Sequence, residues 1–199
     1  MARGAAQGTL DRGRATRDRL VAAALELVGE VGWSRVTTRL VAERAGARPG
    51  LVHYHFASVE DLLVTAATGV VRQMLGDVLG ELTAHRDLDT GLAWLLGELG
   101  RYTGTDPASL LLTEAFLAAS RIPRLHTDLG AAISGFRAGV ADWLRGLGHT
   151  ADADAAATVL AATIDGLVLH RALDPDLDPA ALAGPLHRLL ASGGGRTTT

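Results

Sequence analysis

The sequence predicts an all-α protein, and three observations carry that prediction. Apolar residues recur at three- and four-residue steps along nearly the whole chain, which is the spacing of one helix face. Strictly alternating runs of β-branched and aromatic residues, the mark of half-buried strands, do not occur in the sequence. Glycines, prolines and capping residues punctuate the chain at intervals that suit helices of ordinary length.

The first helix is expected to start near Thr16, with Leu20, Ala24, Leu27, Val28 and Val31 on one face and Gly29 and Gly32 ending it. A short second helix runs from about Thr38 to Ala45, capped by the hydroxyl of Thr37 or Thr38 and closed by Gly46. A third spans about Pro49 to His55, with proline in a first turn where its missing N–H costs nothing. Ser58-Val59-Glu60-Asp61 is a capping-box pattern opening a long helix to about Ala84, and Gly69, Gly76 and Gly80 leave open whether it is continuous. The same reading gives helices at roughly 89–103, 106–120, 123–147, 151–172 and 178–191. Gly130, Gly135 and Gly139 leave room for the 123–147 segment to be two helices. Residues 1–14 and 192–199 read as a disordered arm and tail.

The 199 residues carry a net charge of −3 and no cysteine, which removes disulfides, thiolate metal sites and cysteine nucleophiles. All 19 basic residues are arginine. Their placement is uneven: residues 1–50 carry a net +4 and the rest a net −7. A basic front on an acidic remainder points to a polyanion meeting the front alone. Stretches without a charge reach ten positions, as from Leu62 to Val71, about half of a membrane-spanning helix. No apolar signal-peptide core opens the chain. The expectation is a soluble cytoplasmic protein with no membrane partner. Enzymatic motifs fail as well: there is no Gly-x-Ser-x-Gly, no His-Glu-x-x-His and no phosphate-cradling glycine loop. His53 and His55 fall on different helix faces, which argues against a metal pair. Asp174-Pro-Asp-Leu-Asp178 begins like a calcium loop but has Pro179 for the turn glycine and Pro185 for the bidentate glutamate. No enzyme, cofactor or metal is expected.

Three short helices with tight turns inside a basic front are the sequence picture of a helix-turn-helix module. Leu40, Val41 and Ala45 are spaced to bury one face of its second helix, and Leu51, Val52 and Phe56 to anchor the third. Residues 16–63 resemble the DNA-binding domain of the TetR family of transcriptional repressors. Thr37-Thr38-Arg39-Leu40-Val41-Ala42-Glu43-Arg44-Ala45-Gly46 is similar to that family's second helix, Pro49-Gly50-Leu51-Val52-His53-Tyr54-His55-Phe56 to its recognition helix, and Ser58-Val59-Glu60-Asp61-Leu62-Leu63 to its next helix start. The resemblance implies DNA contacts from Arg17, Thr37, Thr38 and Arg39 at the groove edge. It implies further contacts from Arg48, Pro49, Gly50, Leu51, His53 and Tyr54 along the reading helix. Two departures stand out: Val59 replaces a frequent lysine, and Ala47-Arg48 replaces a frequent Val-Ser.

The division expected is a DNA-binding domain over 15–61 and a helical effector-binding and dimerisation domain over 62–191. The resemblance implies a homodimer on a palindromic operator of double-stranded DNA, released by a small-molecule effector. Phe136, Val140, Trp143 and Leu147, with Val159, Ile164, Leu167 and Val168, are candidates for an intersubunit four-helix bundle. Trp94, Tyr102, Thr113, Glu114, Phe116 and His126 are candidates for an effector pocket, being apolar with a few polar groups. The rival readings are a helical interaction module whose front is merely basic, and a DNA-binding regulator with no effector.

Overall fold

The structure, a computed structural model, describes residues 2–149 and 152–191. Every regular element among them is helical: α1 (Ala2–Val31), α2 (Thr38–Arg44), α3 (Pro49–His55), α4 (Val59–Ala84), α5 (Leu88–Leu99), α6 (Pro107–Ala119), α7 (Pro123–Gly146), α8 (Ala153–Arg171) and α9 (Ala183–Ala191). Single 3-10 turns lie at Trp33–Arg35 and Pro179–Leu182. The all-α expectation holds. The second of these turns splits the segment expected as one helix over 178–191. By contrast α4 and α7 run unbroken through their glycines.

The first helix departs from expectation by starting at Ala2, so the arm expected over 1–14 is helical from that residue on. Alanines 2, 5 and 6 and arginines 3, 12 and 14 are strong helix formers. Extending an existing helix also needs no new nucleus. The tail expected over 192–199 lies outside the described residues.

Four helix starts, those of α2, α4, α5 and α6, follow side-chain acceptors. Thr37 Oγ1 accepts from the Leu40 amide at 3.3 Å, and Asp87 accepts the Thr90 amide at 2.9 Å. At α4, Ser58 Oγ accepts the Asp61 amide at 3.0 Å while the Asp61 carboxylate reaches back to the Ala57 amide at 3.0 Å, one residue beyond a standard capping box. At α6, Asp106 accepts the amides of Thr103, Ala108 and Ser109 and the Ser109 hydroxyl, between 2.6 and 3.1 Å. Burial alone would raise its carboxyl, but the hydrogen bonds from Ser109 and Thr103 bring it down to about 2.

The chain forms two compact units. One runs through Val70 and takes back Leu110–His126; the other holds Val71–Ser109 and the described residues from Thr127 on. The partition therefore differs from the linear boundary at 61/62, because α4, α6 and α7 each give residues to both units. The first unit's core joins Leu20, Leu27 and Val28 of α1, Val41 of α2, Val52 of α3 and Phe56 at its C-cap, Leu62 and Leu63 of α4, and Leu111 of α6. The second unit's core joins Leu82, Leu92, Leu95 and Leu96 to Phe136, Val140, Trp143 and Leu144 of α7, Leu160 and Leu167 of α8, and Leu186 of α9. By length and composition α4 and α8 could cross a membrane. Their apolar residues Leu62, Leu63, Leu82, Leu160 and Leu167 lie instead in these two protein cores.

Candidate nucleic-acid interface

The first unit holds α2 and α3 as a bihelical pair. Gly46, at φ +59, makes the turn between them in a conformation that glycine adopts without steric cost. The Ala47 amide donates back to the Ala42 carbonyl at 2.9 Å. Val41, Ala42 and Val52 are buried, which fixes the inward faces of both helices. Leu40 and Leu51, expected as buried anchors, are instead more than a third exposed. Val41 and Val52, one position on, already fill the inward positions, and the neighbouring position turns out by about 100°.

What faces outward is a stripe of DNA-suited groups. Arg39, Pro49, Gly50, Leu51, His53 and Tyr54 of α2 and α3 are exposed, as are Thr37 and Arg48 at their N-caps, and Tyr54 most of all at 79%. Thr38 is half-buried. A tyrosine ring left this open has no packing role in the chain, and its edge-on contact with His55 at 4.9 Å fixes its direction. Arg39 and Arg48 have no ion-pair partner among the described residues, so their guanidinium donors are available to phosphate. Nothing lies within 4 Å of a Cβ placed on Gly50, so the start of α3 is open to a close-approaching backbone. Arg17 stacks over the Phe56 ring at 5.0 Å, which holds its charge beside the end of α3.

Two ion-pair clusters set this head, and sequence reading did not find them. Arg44 of α2 grips Glu26 and Glu30 of α1, at 3.1 and 2.6 Å. The hydrogen bond from Arg44 holds the Glu30 carboxyl below the usual range. Asp61 pairs with Arg124 of α7, whose guanidinium, together with the Ala57 amide, lowers the Asp61 carboxyl. The i, i+4 spacing of Glu26 and Glu30 was a visible signal on α1. Nothing local in the sequence announces Arg124.

The pocket candidates are not gathered into one unit. Trp94 and Tyr102 belong to the second unit, while Thr113, Glu114, Phe116 and His126 belong to the first. Glu114, expected as a ligand-facing carboxylate, has an internal partner instead: it accepts the Trp33 amide at 2.7 Å. Phe116 is exposed, and the Tyr102 hydroxyl meets the Met74 sulfur at 3.8 Å. Of the interface candidates, Phe136, Val140, Trp143, Leu167 and Val168 are buried in the chain's own core, Leu147 and Ile164 are half-buried, and Val159 alone is exposed. Trp143 illustrates why: its Nε1 donates to the His85 carbonyl at 3.0 Å, and Gly91 lets the indole lie where a Cβ would come within 2.5 Å. An outward-turning exposed helix pair and an inward-packed one share the same periodicity, so spacing alone did not separate them.

A basic, outward-facing helix-turn-helix on an otherwise acidic helical chain defines a sequence-reading regulator of transcription. Residues 20–66 match the profile described as "Bacterial regulatory proteins, tetR family", and residues 83–192 that described as "Tetracyclin repressor-like, C-terminal domain". The chain belongs to the TetR family, whose members are regulators and not enzymes. It is 28% identical over 158 residues to the HTH-type transcriptional regulator BetI of Rhizobium meliloti (strain 1021), covering 79% of this chain and 78% of that one. A crystal structure of a transcriptional regulator from Rhodococcus sp. Rha1 superposes with a TM-score of 0.73 at 26% identity, over 89% of this chain and 95% of that one. A putative regulator from Saccharomonospora viridis, solved in complex with choline, shares the fold with a TM-score of 0.69 at 22% identity, over 88% and 93% of the two chains. The first unit thus carries the family's DNA-binding module, and the C-terminal region is its ligand-binding domain.

Proposed function

We propose that the protein is a homodimeric repressor that reads a palindromic operator in the cytoplasm and leaves it when a small molecule binds. The observation that carries this reading is the outward stripe of Arg39, Arg48, His53 and Tyr54, in which the two arginines have no ion-pair partner among the described residues. Two such stripes enter successive major grooves when their separation is near one helical turn, about 34–36 Å. The second copy is supported by α8, whose outward face holds Ala155, Val159, Ala162 and Leu169, with Leu173 just past its end 90% exposed. On α9, Leu189 is likewise more than half exposed. The interface so drawn uses the outer face of α8, while Phe136, Val140 and Trp143 of α7 go to the chain's own core. Small residues at 155 and 162 let two helices approach closely across a two-fold axis.

For release, an effector must favour a different separation of the two reading helices by differential affinity for the two states. Because α4, α6 and α7 run through both units, a change in their second-unit halves reaches the head along continuous helix. The relative solved with choline makes choline the first compound to try. Trp94 and Tyr102 in the second unit offer aromatic faces of the kind a quaternary ammonium prefers.

The test is selection of genomic fragments by the purified protein in about 150 mM salt, where non-specific attraction is weak. Recovery of one palindrome bound by two copies is the expected result. Binding without any preferred sequence leaves only a basic interaction module. A palindrome whose occupancy no compound lowers, choline included, leaves a regulator without an effector.

A further inference from the structure

We infer that Glu114 is a positioning residue of the DNA-reading head, holding from α6 the turn that aims α2 at the phosphate backbone. This rests on the DNA-reading assignment of the first unit. The helix α6 enters the head's core through Leu111, and Ala115 and Ala118, also buried, follow at i+4 and i+7 on the same face. That docking sets Glu114, beside this face, over the end of α1. Its Oε2 accepts the Trp33 amide at 2.7 Å, and its Oε1 lies 3.3 Å from where a Cβ on Gly32 would be. Gly32 stands at φ +81 and ψ 152, a positive-φ backbone conformation that glycine allows.

The turn so clamped leads without slack into the reading helices. The Arg35 amide donates to the Gly32 carbonyl at 3.2 Å, the Val36 amide to the Trp33 carbonyl at 3.3 Å, and Val36 is buried. Thr37, the next residue, is the N-cap of α2, and Thr38 and Arg39 follow in its first turn. Only three residues, Ser34 to Val36, therefore lie between the amide held by Glu114 and the cap that orients the groove-edge contacts. A carboxylate is also an acid in a head that binds a polyanion. Charge alone makes its removal favourable for DNA binding, whereas loss of positioning makes it unfavourable, so the two effects have opposite signs.

The sign decides the test. The probe is the duplex recovered by selection with the wild-type protein, titrated against wild type, Glu114→Ala and Glu114→Gln, each first shown folded by its thermal melt. The expected result is a roughly tenfold weaker affinity for Glu114→Ala, the scale of losing one charge-assisted hydrogen bond. Glu114→Gln, whose amide oxygen still accepts from Trp33, is expected to bind at least as tightly as wild type. Amide exchange at Trp33 should accelerate in Glu114→Ala, while exchange at Val28 and Val41 stays as in wild type. Equal protection of the Trp33 amide in wild type and Glu114→Ala overturns the clamp. Equal or tighter DNA binding by Glu114→Ala overturns its positioning role. A wild-type protein that selects no duplex overturns the DNA-reading assignment itself, and the exchange result still reports on the clamp.

Discussion

Gly104 shows how little room single residues leave in this chain. It stands at φ +79, and an added Cβ would come within 2.4 Å of the Ala172 amide nitrogen and 2.6 Å of the Val168 carbonyl. Both obstacles are backbone, so nothing flexible can move aside. Gly104→Ala is expected to cost about 3 kcal/mol or more, visible as a large drop in the urea midpoint. Two residues on, Asp106 gathers amides and hydroxyls at the start of α6, and Asp106→Ala is expected to lose about 1–2 kcal/mol. Its folded pKa of about 2 lies below the usual aspartate value. Its contribution is therefore complete above about pH 4 and disappears as pH falls towards 2. Urea titrations at successive pH values should show the wild-type acid limb flatten in Asp106→Ala. At this scale the sequence was partly readable. Thr105-Asp106-Pro107 announced a helix boundary, and Thr37 and Ser58 announced caps, because these effects act over two or three residues. The packing of Gly104 against Ala172 joins residues far apart in sequence, and no local pattern encodes it.

Individual elements are held at their ends by charges that reach across the chain. Arg171, at the end of α8, points one guanidinium nitrogen at the carbonyls of Leu99, Gly100 and Tyr102, satisfying the open end of α5. Arg171→Ala takes this donor from all three carbonyls, leaving Leu99 with the Tyr102 amide at 3.1 Å, and is expected to cost about 2–3 kcal/mol, measured by thermal unfolding. Arg44 does the corresponding work between α2 and α1, through Glu26 and Glu30. Because that bridge is open to solvent, replacing Arg44 by Met should lower the melting temperature by an amount that shrinks as salt is added. The existence of nearly every helix was legible from apolar spacing. The face each one turns outward was less so. Leu40 and Leu51 lie on the exposed side, and Phe136, Val140 and Trp143 lie in the interior. A period of 3.6 says that a stripe exists without saying whether the same chain or another one covers it.

At the scale of the whole molecule, the predictions concern DNA and the second copy. Tyr54→Ala, far from any core, should keep the fold and cost roughly 1–3 kcal/mol of specific binding. The slope of log affinity against log salt should hardly change, since no positive charge is lost. Arg39→Ala should weaken all sequences alike and reduce that slope by about 1. Leu169→Glu on the outer face of α8 should yield monomers in sedimentation with the helical content intact, since that side chain is half exposed in the single chain. The family was legible from about 48 residues around the helix-turn-helix, and the matched profiles extend it over the rest. The effector's chemistry was not legible, because pocket candidates chosen by residue type fell into both units.

The sharing of α4, α6 and α7 between the two units has a practical consequence for engineering. A cut after Val70 would give a head deprived of Leu111 from its core and of the Glu114 carboxylate at its hinge turn. The head is therefore no portable cassette. A chimera that grafts residues 1–66 onto a foreign effector domain inherits the reading helix but must also bring a matching α6. Grafts that carry residues 110–126 along with the N-terminal segment should stay folded and bind, whereas grafts made at the sequence boundary alone should melt early. The borders that inheritance draws in a sequence and the borders along which it can be taken apart are, in this molecule, different lines.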